Sequence, residues 1–231
     1  MSFLFTPEQL TGKARTHLVA LPCPFSVHHF LHQDCLVAFQ CLQQSAAKHG
    51  FNLQPASSFR DFQRQQAIWN AKFYGERKVH DDQGNPLDLS TLSDWEKVQA
   101  ILRWSALPGG SRHHWGTEID VFDPHLLPPH QTLQLEPWEY EQGGYFFELS
   151  EWLQQNLAHF DFALPFTQLP QDKEIGYEPW HISYLPIAQQ AQQQFNADIL
   201  CEAWQQEEIA GKACLLANLA QIFCRFFYLR R

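Results

Sequence analysis

The sequence is short of several things. It has a single methionine, and no cluster of lysine and arginine accompanies its aromatic residues. Sixteen basic side chains stand against twenty-five acidic ones, a net charge of −9, which argues against nucleic acid or an anionic membrane as the principal partner. No apolar stretch approaches the length of a membrane span. The first residues, Met1-Ser2-Phe3-Leu4-Phe5-Thr6-Pro7-Glu8, lack a basic start and a sustained apolar core, so a signal peptide is not expected and a cytoplasmic location is. The six cysteines (Cys23, Cys35, Cys41, Cys201, Cys214, Cys224) have no metal-ligand spacing and fall in helical patterns, which predicts reduced core residues. No internal repeat or low-complexity linker is present, although Gln189 to Gln194 is glutamine-rich.

Hydrophobic residues are abundant. They make up 45% of 231 residues and include eight tryptophans and nineteen phenylalanines, enough for a folded core. Asp34 to His49 reads as a helix stopped by Gly50, and Phe51-Asn52-Leu53 as the start of a strand leading to Arg60. Phe62, Trp69 and Phe73 form an apolar helical stripe after that junction. Gly75 to Leu92 is a polar excursion, a candidate rim for a cleft. Ser93-Asp94-Trp95-Glu96 is a capping box for a helix reaching about Leu107. Tyr145 to Ala158 reads as a helix and His159 to Phe162 as a strand. From Ala188 the pattern is helical, with an apolar stripe from Leu215 through Leu216, Leu219, Ile222, Phe223 and Phe226 to Phe227.

The chemistry concentrates in two segments. Ser111-Arg112-His113-His114-Trp115-Gly116-Thr117-Glu118-Ile119-Asp120 and Glu178-Pro179-Trp180-His181 together supply imidazoles, a carboxylate and a spare glutamate three residues before the last histidine. A catalytic zinc site needs three such ligands and one open position, and a nearby glutamate can take a proton from the attacking water. Thr117 to Phe122 alternates polar and apolar side chains, a half-buried strand. Pro179 excludes the helical His-Glu-x-x-His arrangement, and Ile182-Ser183-Tyr184-Leu185 favours a strand. Two strands distant in sequence must then be neighbours in a sheet. His114 is read as supporting, substrate-facing or structural; His28, His29 and His32 have no carboxylate or cysteine pattern beside them, so a capping or solvated role is favoured.

Ser-x-His-x-x-Gly-x-x-x-Asp followed by Glu-x-Trp-His resembles the VanY-type D-alanyl-D-alanine carboxypeptidases, whose wider group includes lysostaphin-type endopeptidases and the Hedgehog signalling domain. The resemblance runs from about Phe51 to Pro186. It takes in Ser57-Ser58-Phe59-Arg60 with Gln65, and the Gly143 to Leu149 segment with Trp152, Leu153 and Asn156. It implies that His113, Asp120 and His181 hold one zinc per chain and that Glu178 is the catalytic base. It also implies that Arg60 and Gln65 line the substrate site. Arg60 would hold a carboxylate or a developing oxyanion, as an always-charged planar fork can. Ser111, Gln65 and Trp180 are expected to position the peptide. Glu118 departs from the family, where a small residue is usual. Sharing a strand face with Asp120, it is expected to face the pocket, pairing with Arg60 or meeting a substrate ammonium.

The expected fold is α+β in one domain, 1–231. A small, mainly antiparallel sheet carries helices on one side, with a catalytic core at about 34–187 and a C-terminal helical extension at about 188–231. The expected activity is hydrolysis of a cell-wall-type peptide, by a D-Ala-D-Ala carboxypeptidase first. The alternatives are a D-Ala-D-Ala dipeptidase, an L-alanyl-D-glutamate-type endopeptidase and, in another class, a Hedgehog-like zinc-containing binding module without catalysis. The expected partner is a muropeptide or a D-Ala-D-Ala-containing peptide; nothing in the sequence sets the oligomeric state.

Overall fold

A computed structural model of the protein describes residues 5–22, 29–167 and 174–227. Cys23 and His28 lie outside the described residues. A short helix α1 (Pro7–Leu10) precedes a two-stranded antiparallel ribbon, β1 (Leu18–Leu21) with β2 (His29–His32). His32 then caps α2 (Gln33–Lys48) by accepting from the Asp34 amide. The helix buries Cys35, Phe39, Leu42 and Ala46, one face at helical spacing, and the chain turns at Gly50.

The main sheet has four antiparallel strands in the order β3 (Gln54–Ser57), β4 (Glu118–Phe122), β6 (His181–Tyr184), β5 (Phe162–Ala163). Alternation divides its two faces. Ile119, Val121 and Ile182 join one hydrophobic cluster with the buried residues of α2 and of α5 (Phe147–Asn156), so helices cover that side as expected. Glu118, Asp120, His181 and Ser183 point to the other side. In β4 and β6, Asp120 sits opposite His181 and Glu118 opposite Ser183.

The remaining helices build a second cluster beside this polar face. In α3 (Phe62–Phe73), Asp61 caps the start by accepting from the Arg64 amide, and Phe62, Trp69 and Phe73 are buried. The Ser93 capping box starts α4 (Asp94–Leu102), which ends before Leu107 because residues 103–111 turn off toward the sheet. After β6, Pro186 falls in the first turn of α6 (Leu185–Gln194), followed by α7 (Ala197–Ala203), α8 (Lys212–Ala217) and α9 (Leu219–Ile222). Ile187, Ala191, Leu200, Leu215, Ile222 and Phe223 pack with Phe62, Trp69, Val98 and Ile101. The C-terminal stripe is interrupted: within α8 Leu215 is buried while Leu216, on the neighbouring face, is 46% exposed, and Asn218 ends the helix before Leu219. His159 and Phe160 form a 3-10 turn rather than a strand. Among the described residues no helix is long and apolar enough to cross a membrane.

Candidate active site

Ser57 ends β3, and the chain runs through Ser58 and Phe59 to Arg60 before α3 begins. A 3-10 turn, Arg112–Trp115, carries His113 to the same place. Gly116 then reverses the chain into β4 at φ +72. A side chain there would strike Leu18 and come within 2.8 Å of the His32 amide nitrogen, so the position needs glycine.

His113, Asp120 and His181 each offer one donor atom, and these atoms lie within 4.8 Å of one another. All three residues are buried. Each imidazole has one nitrogen committed. His113 donates from Nδ1 to the Ser58 carbonyl at 2.7 Å, leaving Nε2 at 3.5 Å from Asp120 Oδ2. His181 donates from Nε2 to Glu118 Oε2 at 2.8 Å, leaving Nδ1 at 3.1 Å from Asp120 Oδ1. That last pair is close without being aligned as a hydrogen bond, and both atoms are buried without a hydrogen-bond partner. Two buried, unpartnered donor atoms 3.1 Å apart, with His113 Nε2 beside them, make the arrangement that a metal ion satisfies, so the residues fit such a group.

The electrostatics follow from burial and proximity. Burial would raise the Asp120 carboxyl, but His113 and His181 outweigh it and hold Asp120 well below the usual carboxylate range. Burial would lower His181, but the neighbouring carboxylates of Asp120 and Glu118, the latter hydrogen-bonded to it, push it up to about 10. Glu178 is pushed up to about 7 by burial, against the opposing pull of His181. Its Oε2 lies 3.5 Å from His181 Nδ1, beside the three donors. The backbone holds it there: the Glu178 amide donates to the Phe166 carbonyl, and the His181 amide to the Glu178 carbonyl. The Phe166 ring packs on His181 with centroids 4.8 Å apart.

These groups open into a cleft of about 660 Å³, a size suited to a small ligand. Arg60, Ser111, Trp180 and Glu178 line it, as do Glu76, Arg77, Lys78 and His80 from the polar excursion read as a rim. Gln192, Phe195, Phe223, Phe226 and Phe227 line it from the C-terminal helices.

Two expected substrate contacts are corrected. Glu118 has the expected strand parity but no access: it is 0% exposed. Its carboxylate is covered by Arg112 at 3.1 Å and bonded to His181, Ser183 Oγ at 2.7 Å and Thr117 Oγ1 at 3.1 Å. Its cationic partner is therefore Arg112 and not Arg60. The first effect of burial is to raise it, yet Arg112 and His181 win and hold it at about 2. Gln65 is also fully buried; it accepts from Arg60 Nη1 at 2.8 Å and donates to the Ala106 carbonyl at 2.6 Å, so it touches Arg60 and not the cleft.

The structural reading of His114 holds. Its Nδ1 donates to the Arg60 carbonyl at 2.6 Å, and its Nε2 accepts from the Gly109 amide at 3.1 Å. His29 bonds to Ser58 Oγ and His32 caps α2, and neither belongs to a metal-type donor set among the described residues. Sequence reasoning missed Arg112, whose Nη2 also donates to Ser183 Oγ at 2.9 Å, and Ser58, whose carbonyl orients His113. Arg112 left one signal, a cation inside an otherwise buried motif. The Ser58 contact is a backbone one and leaves none.

Residues 28–187 match the family described as VanY, D-alanyl-D-alanine carboxypeptidase. An uncharacterized protein of Haemophilus influenzae is 62% identical over 120 residues, 52% of this chain and 92% of that protein. The putative carboxypeptidase YodJ of Bacillus subtilis is 21% identical over 159 residues, 68% of this chain and 46% of that protein. Among solved structures, the LdcB LD-carboxypeptidase superposes with a TM-score of 0.53 at 17% identity, covering 84% of this chain and 80% of that one, a likeness of fold. With the family match spanning more than half its length, the chain belongs to the VanY family of D-alanyl-D-alanine carboxypeptidases.

Proposed function

We propose that the chain is a zinc-dependent peptidase that removes a C-terminal residue from a cell-wall-type peptide, acting as a D-alanyl-D-alanine carboxypeptidase. The observation that carries this is the meeting of His113, Asp120 and His181 within 4.8 Å, with Glu178 directly beside them in a cleft. Two imidazoles and one carboxylate with a neighbouring free carboxylate is a catalytic donor set, whereas a purely structural centre closes itself with a fourth protein ligand. A binding module without catalysis gives Glu178 no task.

Zinc held by those three residues would polarise the scissile carbonyl and make the attacking water more acidic. Glu178 takes the proton of that water and returns it to the leaving amine. Its elevated pKa, which comes from burial, suits both halves of that transfer. Arg60, steadied by Gln65 and by Ser57 Oγ at 3.4 Å, meets the developing oxyanion with a fixed planar fork. Ser111 and Trp180 border the space the peptide occupies. Glu118 acts one step removed, fixing the tautomer and tilt of His181. Because α6 to α9 pack with α3 and α4, and Gln192, Phe195, Phe223, Phe226 and Phe227 supply one wall of the cleft, we take 1–231 to work as one unit.

The test is direct. Purified protein with zinc is incubated with D-Ala-D-Ala, a stem pentapeptide ending in D-Ala-D-Ala, and a soluble muropeptide, and products are identified by mass. Release of one terminal D-alanine from the pentapeptide, abolished by chelation and restored by zinc, is expected. Cleavage of the free dipeptide alone points to a dipeptidase, internal cleavage to an endopeptidase, and no turnover with any of them refutes the reading.

A further inference from the structure

The inward stripe of α3 is not wholly apolar. Its buried positions are Phe62, Gln65, Trp69, Lys72 and Phe73, so two polar residues occupy places where helical spacing calls for hydrophobic ones. Gln65 is explained by Arg60. Lys72 is not explained by the chemistry above. Its residue is 9% exposed, it lines the cleft, and its Nζ donates to Ser105 Oγ at 2.6 Å.

The charges around it are uneven. Among the described residues no carboxylate oxygen lies within ion-pair distance of Lys72, Arg77 or Arg60, although all three line the same cleft. Glu76 is on the rim, also beyond that distance, and Glu136 is paired with His80. Glu178 and Glu136 act on Lys72, and Asp120 and Glu178 on Arg60, only from beyond ion-pair distance, so these cations lack a direct counter-charge in a chain of net charge −9. Burying a cation without a counter-charge is costly, and an anionic ligand supplies what is missing. The neutral partner, Ser105, leaves donors on the ammonium for that ligand.

We propose that Lys72 and Arg77 form a second cationic subsite of the cleft, one that takes a carboxylate of the peptide substrate. This rests on the peptidase reading and deepens it. It divides the work: Arg60 beside the metal-type donors serves the oxyanion, while Lys72 and Arg77 hold a charge that the substrate carries throughout. The carboxylate has two possible sources, the C-terminus of the peptide or an acidic side chain upstream of the scissile bond.

The test uses two amine-blocked peptides ending in D-Ala-D-Ala, one with no carboxylate except its C-terminus and one with an additional acidic side chain upstream. KM and kcat are measured on the zinc-loaded protein and on Lys72→Met, Lys72→Arg and Arg77→Gln. Methionine keeps the volume of the buried stem, and Arg77 is exposed, so neither change threatens the fold. Lys72→Met should raise KM roughly 10- to 100-fold, the worth of a charge-assisted hydrogen bond, with kcat changed less than about threefold. Lys72→Arg should recover most of the loss, and Arg77→Gln should shift KM in the same direction.

Equal losses on both peptides identify the C-terminal carboxylate, and a loss confined to the acidic peptide identifies the side chain. An unchanged KM on both, or a fall in kcat alone, overturns the subsite and leaves Lys72 as a support for Ser105. Calorimetry in a Glu178→Gln background compares binding of the two peptides with each other and of each with its C-terminal amide, with and without Lys72→Met. If the wild type hydrolyses nothing, the peptidase reading falls and this binding result decides alone. A carboxylate preference that Lys72→Met removes keeps the subsite; the absence of one refutes it.

Discussion

Replacing Glu118 with glutamine isolates what this buried carboxylate does for the proposed metal centre. It makes four contacts within 3.1 Å: His181 Nε2, Ser183 Oγ, Thr117 Oγ1 and Arg112. Two separate losses follow. The first is at His181, whose Nε2–H would face an uncharged amide in place of a carboxylate. Outer-shell partners of metal-bound histidines are typically worth 10- to 100-fold in metal affinity, about 1.4–2.8 kcal/mol. The second is at Arg112, whose side chain is 14% exposed and would lose its counter-charge. Removing one partner of a buried ion pair costs about 3–5 kcal/mol, although Gln192 Oε1 at 3.0 Å and the Trp115 ring at 5.0 Å keep Arg112 partly compensated.

The two losses can be read separately. Zinc affinity, by competition with a chromophoric chelator, should weaken about 10- to 100-fold in Glu118→Gln. Unfolding of the metal-free protein in urea should show a loss of about 3 kcal/mol or somewhat less. Adding Arg112→Met should restore much of the stability, because it removes the orphaned charge, without restoring zinc affinity. If Glu118→Gln binds zinc within twofold of the wild type, His181 does not depend on Glu118 and the reasoning fails. If the double variant recovers both quantities, the contact to His181 carries nothing of its own.

Other outcomes are expected from the same geometry. His113→Ala, Asp120→Ala and His181→Ala should each reduce bound zinc far below one per chain by metal analysis, while His114→Ala should lose stability and keep the metal, since both its ring nitrogens serve the backbone. Glu178→Gln should keep fold and zinc while kcat falls about 10²- to 10⁴-fold; near-normal turnover removes it from the mechanism. His181 is raised to about 10 in the metal-free protein, so metal must displace its proton. Apparent zinc affinity should then rise about tenfold per pH unit between about pH 6 and 8, with close to one proton released in calorimetry across buffers. The sign for stability runs the other way: a raised histidine stabilises the metal-free fold fully below about pH 6.5, and that contribution is lost as pH climbs toward 10.

Much of the site was legible because it is encoded twice, by residue type and by period. Alternation along Thr117 to Phe122 and the β-forming Ile182-Ser183-Tyr184 require two strands, and a common site requires them to be neighbours. Their pairing brings Asp120 directly opposite His181. Glu118 shows where that logic stops. Parity assigns a strand residue to a face but not to a depth, and depth depends on what covers the face. Here the cover is Arg112, delivered by a 3-10 turn that no periodicity announces. Gln65 fails for a related reason: helical spacing directs it inward, but whether inward means cleft or core is set by the Ala106 carbonyl on a loop forty-one residues away.

Lys72 lies on the same helix as Gln65. A stripe read only for its apolar members gives Phe62, Trp69 and Phe73, and the helix is placed correctly on those alone. The polar residues on the same stripe are the informative ones, because a fold selected for stability has no use for a lysine there. Gln65 is accounted for by its bonds to Arg60 and Ala106. Lys72 has only a neutral hydroxyl. A cation placed against the helical period, facing a cleft and without a carboxylate within ion-pair distance among the described residues, is a local conflict within an otherwise consistent element. Such conflicts concentrate where function outweighs stability, which makes Lys72→Met the more telling substitution: improved stability together with weakened substrate binding is the outcome that a purely structural lysine would not give.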